Sequence, residues 1–272
     1  MNPRAVQNWM NTMTRTYAPI YRLMVVADRE GKIIAANSIG ADGRAIPSSR
    51  VIGRDVGESV WFQRAAYGTL ADGTSLVEDV HVDDLMESVY GRDGALAMSF
   101  TAPIKNDLGQ IVGVWSNRFN WGVAETVLQE VRDRARATDF GSVEFIVTDK
   151  NGRAIYTPSV GGLLQASRSS GEVLKRAANP GDGGYVRGRS YNKDSNQPAL
   201  EAFYRSSGYS SYGGVGWTVA ASEHLSEIQR EQRTILNLLY ALAGADHPRC
   251  AARNLLGLQA GRAPCRTSGA RR

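Results

Sequence analysis

The chain has 272 residues, of which 22% are charged and 42% belong to the hydrophobic set, and this balance excludes a disordered polypeptide and a polytopic membrane protein. Residues 246–272 hold six of the 32 basic residues and one of the 27 acidic ones, which leaves 26 of each in residues 1–245. The formal charge of +5 therefore belongs to this tail and does not indicate nucleic-acid binding. Cys250 and Cys265 lie there too, so residues 1–245 offer no thiolate for a metal, a disulfide or catalysis.

The first 21 residues predict a stalk helix. Apolar residues recur there at helical spacing: Trp9, Met10, Met13, Tyr17 and Ile20. Pro19 favours termination of the helix near its end.

The other end of the chain changes character at Asp246. Residues 222–233 predict a polar amphipathic helix, and an apolar run follows at 235–245. This run stops well short of the roughly 20 residues that a membrane span needs. Two interpretations remain open: a buried C-terminal helix, or an exit helix over 222–245 that leads into an incomplete transmembrane segment. The abrupt loss of periodicity favours the second, in which an out-of-frame or degraded tail follows the interrupted helix. We expect residues 246–272 to form a disordered basic tail.

An internal repeat defines the expected architecture. Residues 24–34 and 145–155 both read as an apolar strand, an Asp, two polar residues, a Gly, a basic residue and a second strand. At a fixed offset, three pairs align: Asp28 with Asp149, Gly31 with Gly152, and Lys32 with Arg153. Each copy predicts a β-hairpin in which the Asp caps the turn and the Gly supplies a positive φ. Two copies, each followed by a helix and further strands, indicate two similar lobes.

The predicted elements follow in chain order. The first lobe (22–137) contains the hairpin, a helix at 59–67, strands at 75–82, 95–103 and 110–119, and a helix at 121–137. The second lobe (138–221) contains a hairpin at 143–157, a helix at 170–178, a turn at 179–184, and strands at 184–190, 199–206 and 217–221. The expected fold class is α+β, with two PAS-like lobes that each consist of an antiparallel sheet with packed helices.

Over residues 22–235, the order of these pieces resembles the double Cache ligand-sensing domain of bacterial methyl-accepting chemotaxis receptors. The matching segments include GRDVGESVWFQRA, AMSFTAPIKNDLGQIVGVWSNRF and GVGWTVAASEHLSEI. The resemblance implies a periplasmic module that binds a small polar solute, with 22–137 distal from the membrane and 138–221 close to it. It also implies a homodimer through the N-terminal helix, a membrane helix on either side and an intracellular output, so the chain reads as a receptor truncated at both ends.

The resemblance places the ligand between the helix and the sheet of the distal lobe. The matched positions are Trp61, Phe62, Asp79, His81, Trp115, Asn117 and Arg118. Trp61 suits an ammonium group through cation–π attraction, and Arg118 offers a fork for a carboxylate. Asp79 can pair with the ammonium, although it is equally consistent with a turn or surface acid. An amine, an amino acid and an organic acid all remain open as the ligand.

The spacing of these residues limits how many can share one site. Trp61 and Phe62 are adjacent on a helix, so only one of them faces the site squarely. Trp115 and Asn117 share one face of a strand, and Arg118 falls on the opposite face unless a bulge intervenes.

Two positions depart from the pattern of the amino-acid-binding members of the family. Those members usually carry an Arg shortly before the helix Trp and an acid on the late strand. Here Glu58, Ser59 and Val60 precede Trp61, and Arg118 stands where the acid is usual. An ordinary amino-acid site is therefore not expected, and the reversed charge favours an organic acid or another anion.

The sequence contains no pattern typical of catalysis. His81 is the one histidine within a lobe, and the adjacent acids Asp83 and Asp84 predict a solvated turn. We therefore expect no enzyme, no metal, no cofactor and no nucleic-acid partner. Two alternative functions remain: a soluble two-lobe interaction module without a small ligand, and a non-signalling receptor fragment.

Overall fold

The computed structural model describes residues 2–68, 70–71, 73–138, 140–157, 163–164, 171–191, 197–210 and 212–245. The helices within these ranges are α1 Pro3–Thr16, α2 Val60–Tyr67, α3 Asp84–Tyr90, α4 Trp121–Arg136, α5 Gly171–Arg176 and α6 Leu225–Ala245. The first five strands are β1 Tyr21–Ala27, β2 Ile33–Ala36, β3 Leu76–Val82, β4 Leu96–Lys105 and β5 Ile111–Asn120. The other five are β6 Glu144–Thr148, β7 Ala154–Tyr156, β8 Gly183–Arg189, β9 Pro198–Arg205 and β10 Thr218–His224.

The strands form two antiparallel five-stranded sheets, which confirms the predicted α+β class and the repeat. The first sheet has the order β2-β1-β5-β4-β3, and the second has the corresponding order β7-β6-β10-β9-β8. We refer to α1–α3 with the first sheet as the first lobe, and to α5 with the second sheet as the second lobe.

The two repeat hairpins turn in the same way. Asp28 Oδ1 accepts hydrogen bonds from the backbone N–H of Glu30 and Lys32, and Asp149 Oδ1 accepts the same pair of bonds, from Asn151 and Arg153. The glycines that follow have φ of +85° at Gly31 and +78° at Gly152. Each hairpin therefore closes through the predicted Asp cap and left-handed Gly.

The first sheet carries helices on both faces because its strands alternate buried side chains. Leu23 and Val25 of β1 join the core with α2 and α3, whereas Met24 and Val26 point the other way, toward Met10 of α1. A two-sided core of this kind places the inner face of the sheet, under α2 and α3, out of reach of bulk water.

The N-terminal helix is shorter than predicted. It ends at Thr16, with Tyr17 as its C-cap, so Tyr17 and Ile20 do not extend its buried face and are both exposed. The face that packs is formed by Val6, Met10 and Met13 instead.

A helix that the sequence did not predict follows β3. Asp83 is its N-cap and accepts a hydrogen bond from Met86 N–H at 2.8 Å. Leu85, Met86 and Val89 then pack into the first-lobe core. The predicted solvated turn at Asp83 and Asp84 is therefore wrong for Asp83, whose side chain is buried, while that of Asp84 is exposed.

The two lobes share an apolar junction. Val80 and Met98, on the side of the first sheet away from α2, pack in one cluster with Trp121 of α4 and with Val147 and Ile155 of the second sheet. The two sheets are therefore joined by one apolar cluster.

Helix α6 belongs to a separate compact unit that begins at His224. It starts three residues later than the predicted exit helix because residues 222–224 complete β10, where Ser222 pairs with Glu144. Among the described residues, no helix is long and apolar enough to cross a membrane. The tail predicted over 246–272 lies outside the described residues.

Candidate ligand-binding site

The inner face of the first sheet carries a buried polar cluster where an apolar layer is expected. Its members on β4 and β5 are Ser99, Thr101, Ser116 and Arg118, and each of them is 0% exposed. Polar groups are buried at a cost of free energy unless they find partners, so the partners of these four side chains decide what the cluster can do.

Arg118 is the centre of the cluster. Its Nε donates a hydrogen bond to Asp83 Oδ2 at 3.0 Å, and its guanidinium lies 4.9 Å from the centroid of the Trp61 ring. Its two terminal nitrogens, Nη1 and Nη2, are buried and have no hydrogen-bond partner among the described residues. The arginine therefore presents one paired edge and one unpaired edge.

Asp83 holds the paired edge. Burial alone would raise the pKa of its carboxyl, but the Arg118 guanidinium, His81 and the Met86 N–H together hold that pKa well below its usual range. Asp83 therefore stays ionised at physiological pH and fixes the position of the guanidinium.

His81 flanks the same carboxylate. Its Nε2 lies 3.5 Å from Asp83 Oδ2, and its Nδ1 lies 2.8 Å from the Asp79 carbonyl oxygen. Burial by itself would lower the pKa of His81, but the contacts with Asp83 and Asp79 and the nearby charge of Glu78 outweigh it and raise that pKa.

The remaining hydroxyls of the cluster are paired within the sheet. Thr101 and Ser116 share a hydrogen bond of 2.6 Å, and Ser99 donates to Glu78 Oε2 at 2.6 Å. Within this cluster, the buried groups that have no hydrogen-bond partner among the described residues are Nη1 and Nη2 of Arg118.

Trp61 and Phe62 are neighbours on α2 and make different contacts. Both rings are buried and meet edge to face at 6.0 Å, but the contact with the Arg118 guanidinium is made by Trp61. Phe62 packs in the apolar core between the sheet and α2.

Trp115 and Asn117 lie on the opposite face of β5 from Arg118, as the strand alternation predicted. The indole N–H of Trp115 donates to Asn117 Oδ1, and its ring meets that of Trp9 edge to face at 4.7 Å. This face borders an apolar groove of about 430 Å³ between α1 and the sheet. The two residues do not join the Arg118 cluster.

Asp79 lies in a third environment. It occupies the bulge of β3, and its Oδ1 accepts hydrogen bonds from the indole N–H of Trp217 and from Val80 N–H, both at 2.7 Å. Trp217 precedes β10 of the second lobe, so Asp79 links the lobes. Of the seven residues predicted to share a site, the structure brings Trp61, His81 and Arg118 together around Asp83.

Asp83 and Glu78 are the members that sequence reasoning missed. Asp83 gave a usable signal, because an acid followed by the apolar spacing of Leu85, Met86 and Val89 is typical of a helix N-cap. Glu78 gave none, since only the pairing of β3 with β4 places it beside Ser99. In the described part of the chain, no group of three or more side chains could hold a metal ion.

The repeat supplies an internal comparison for Arg118. Leu23 and Glu144 are equivalent in the two hairpins, and their sheet partners are Arg118 and Ser222. The Ser222 hydroxyl accepts a hydrogen bond from Tyr191 N–H. The same architecture is therefore built without a guanidinium at this position.

Solved sensory domains of bacterial chemoreceptors and of a histidine kinase share this two-lobed fold. No protein-family model matches the chain, and no curated protein matches it in sequence. The solved structure of methyl-accepting chemotaxis protein X aligns with a TM-score of 0.57 at 15% identity, over 82% of this chain and 81% of that one.

Two further solved structures share the fold. The extracellular ligand-binding receptor from Desulfohalobium retbaense aligns with a TM-score of 0.55 at 14% identity, over 82% of this chain, which spans only 33% of that receptor. The ligand-binding domain of the Pseudomonas aeruginosa PAO1 amino-acid chemoreceptor PctC, solved with GABA, aligns with a TM-score of 0.53 at 15% identity, over 82% of each chain. At these identities the likeness establishes the fold, and it confirms the predicted double Cache resemblance at that level.

Proposed function

We propose that this chain is an extracytoplasmic sensory module, which binds a small polar solute in its first lobe and relays a conformational signal as part of a chemotaxis-type receptor. The fold shared with sensory domains of chemoreceptors supports this proposal. Since the related structures are receptor domains, we propose further that the chain is not an enzyme.

The buried guanidinium of Arg118 carries the proposal. A fully buried charge with two unpaired nitrogens is unfavourable in an isolated domain, because each buried donor without a partner costs about 1–3 kcal/mol. A solute that supplies acceptors offsets this cost. The binding residues that we propose are Trp61, His81, Asp83 and Arg118. Asp79, Phe62, Trp115 and Asn117, also predicted from the sequence, lie in the other environments described above.

A ligand can shift a conformational equilibrium only by binding its two states with different affinity. Here the site and the junction lie on opposite faces of one sheet, since Arg118 points toward α2 while the neighbouring Phe119 packs at the lobe junction. We propose that closure of α2 and α3 over the ligand alters the packing of this sheet, and that the second lobe transmits the change.

The placement in the cell follows the related sensory domains. We propose that the chain acts on the periplasmic side of the cytoplasmic membrane, with the first lobe distal from the membrane.

We also propose that the chain dimerises through α1. Light scattering of the purified chain tests the dimer, and a substitution of the exposed Trp9 by Asp is expected to weaken it.

Binding tests the central proposal. Thermal unfolding of the whole chain is measured against a panel of amines, amino acids, organic acids and their neutral amides, because a ligand that binds only the native state raises its melting temperature. We expect at least one member to stabilise the chain, with calorimetry giving one site per chain. If no member of any charge class binds, the interaction-module alternative replaces the sensor.

A further inference from the structure

We infer that the solute is an anion, and that its carboxylate binds end-on to Nη1 and Nη2 of Arg118. This inference rests on the proposed function and names the chemical class of the ligand. Its basis is Arg118, because Nη1 and Nη2 of this side chain are buried and have no hydrogen-bond partner among the described residues.

The geometry of the guanidinium decides which group fits. Asp83 binds the Nε side of Arg118 through a single contact at 3.0 Å, so the opposite Nη1–Nη2 edge remains for another partner. Two parallel N–H groups at this edge match the two oxygens of a carboxylate. A guanidinium cannot release its proton in a protein, so the edge can only donate.

The charges around the edge form an alternating row. Asp83 carries a negative charge between Arg118 on one side and His81 on the other. An anion on the far edge of Arg118 extends this alternation, since it meets the positive group first. A cation at the same place would face the guanidinium directly and would be repelled.

Each carboxylate near the site already accepts a hydrogen bond. Asp83 accepts from Arg118 and Met86 N–H, Glu78 accepts from Ser99, and Asp79 accepts from Trp217. An ammonium group would have to share a carboxylate with one of these donors, whereas an anion finds two buried donor nitrogens that have no partner among the described residues.

Trp61 fixes the orientation of the edge. Its ring centroid lies 4.9 Å from the guanidinium carbon, and this cation–π contact limits the movement of the guanidinium. Ser222, at the equivalent position of the second lobe, shows that the fold itself does not require the arginine. Ordered water is the competing occupant of the edge, and it predicts no charge selectivity.

The decisive experiment compares probes of matched shape on the unaltered chain. Calorimetry is carried out with propionate, propionamide and propylamine, and with L-lactate and L-lactamide. We expect a carboxylate to bind and its amide to bind about 100-fold more weakly, because the amide loses the charge and one of the two acceptors. This comparison requires no variant and does not depend on the folding of one.

Variants locate the contact. R118K keeps the positive charge without the fork, so we expect it to reduce the selectivity for a carboxylate over its amide, while R44Q, which changes an exposed arginine, leaves that selectivity unchanged. If amides or amines bind the unaltered chain as well as carboxylates do, or if R118K has the full selectivity of the unaltered chain, the inference is overturned and the sensor proposal stands. If no probe and no member of the wider panel binds, the sensor proposal itself fails.

Discussion

Trp217 of the second lobe donates its indole N–H to Asp79 of the first lobe, across 138 residues of sequence. The same indole meets the ring of Trp121, the first residue of α4, edge to face at 5.6 Å between centroids. One side chain therefore contacts the bulge of β3 and the helix that connects the lobes, which makes Trp217 a structural link at the junction.

Removal of this hydrogen bond tests its contribution to the junction. W217F keeps most of the ring packing and deletes the donor, so we expect the free energy of unfolding to fall by about 1–2 kcal/mol in urea titrations. W9F is the matched control, because it makes the same indole-to-phenyl change at a half-exposed position and keeps an aromatic ring against Trp115, and it should change stability by less than about 0.5 kcal/mol. Equal effects of the two variants would contradict the role of the Asp79 contact.

The second prediction concerns the contribution of the buried pair Arg118 and Asp83 to the free energy of unfolding. D83N leaves the fully buried guanidinium without its counter-charge, and such a broken pair costs about 3–5 kcal/mol. An Asn can still cap α3 at this position, so the loss of unfolding free energy measures the effect of the missing charge and not of a missing N-cap.

The matched control for D83N removes both charges. We expect D83N/R118M to recover most of the lost unfolding free energy, because an apolar side chain needs no counter-charge. Urea unfolding of the three chains measures the effect. A double variant that is as unstable as D83N would show that the charge of Arg118 is not the cause.

The repeat explains why much of the fold could be predicted from the sequence. A hairpin is local, so the Asp cap and the Gly turn of residues 28–31 can be recognised within a few positions. The copy at 149–152 then predicts the second sheet. Strand alternation likewise placed Arg118 and Trp115 on opposite faces correctly.

The composition of the site could not be predicted in the same way. The pairs Arg118–Asp83 and Trp217–Asp79 join residues 35 and 138 positions apart, and no local pattern indicates which acid meets which donor. Asp79 and Asp83 are both acids near the end of β3, yet one binds the second lobe and the other binds Arg118. Asp79 lies within the bulge of β3, whereas Asp83 follows the strand and is the N-cap of α3.

His81 makes the stability depend on pH. Its pKa is raised in the folded chain above the ordinary value of 6.5, mainly because Asp83, the Asp79 carbonyl and Glu78 outweigh burial. Such a group contributes stability that is fully present below its unfolded pKa and is lost as the pH rises through its folded pKa. We therefore expect the free energy of unfolding to decline as the pH rises above about 6.5.

Asp83 acts in a different range of pH. Its pKa is lowered, so its contribution is present above its unfolded value of 3.8 and is lost only as the pH falls well below that value.

Urea titrations at several pH values test the contribution of His81. The unfolding free energy should decline as the pH rises, H81Q should reduce this decline, and H224Q, which changes a histidine outside the His81–Asp83 pair, should leave it in place. A decline of unchanged size in H81Q would assign it to another group.

The two repeat hairpins predict unequal effects of the same substitution. An alanine at Gly31 or at Gly152 must adopt a positive φ, which costs about 1–2 kcal/mol at either position. The surroundings then differ. A Cβ at Gly31 would lie 2.5 Å from the Cα of Gly57, which is backbone, whereas a Cβ at Gly152 would lie 3.0 Å from the tip of the flexible Leu174 side chain.

We therefore expect G31A to lose about 1–3 kcal/mol more than G152A, because the backbone of Gly57 cannot turn aside. G109A is the control for the strain alone, since its φ is +76° and nothing lies within 4 Å of the added Cβ. Urea unfolding followed by circular dichroism should rank the losses G31A above G152A, with G109A the smallest. Equal losses in all three would mean that only the positive φ matters, and that the close approach of Gly57 to the first hairpin does not constrain it.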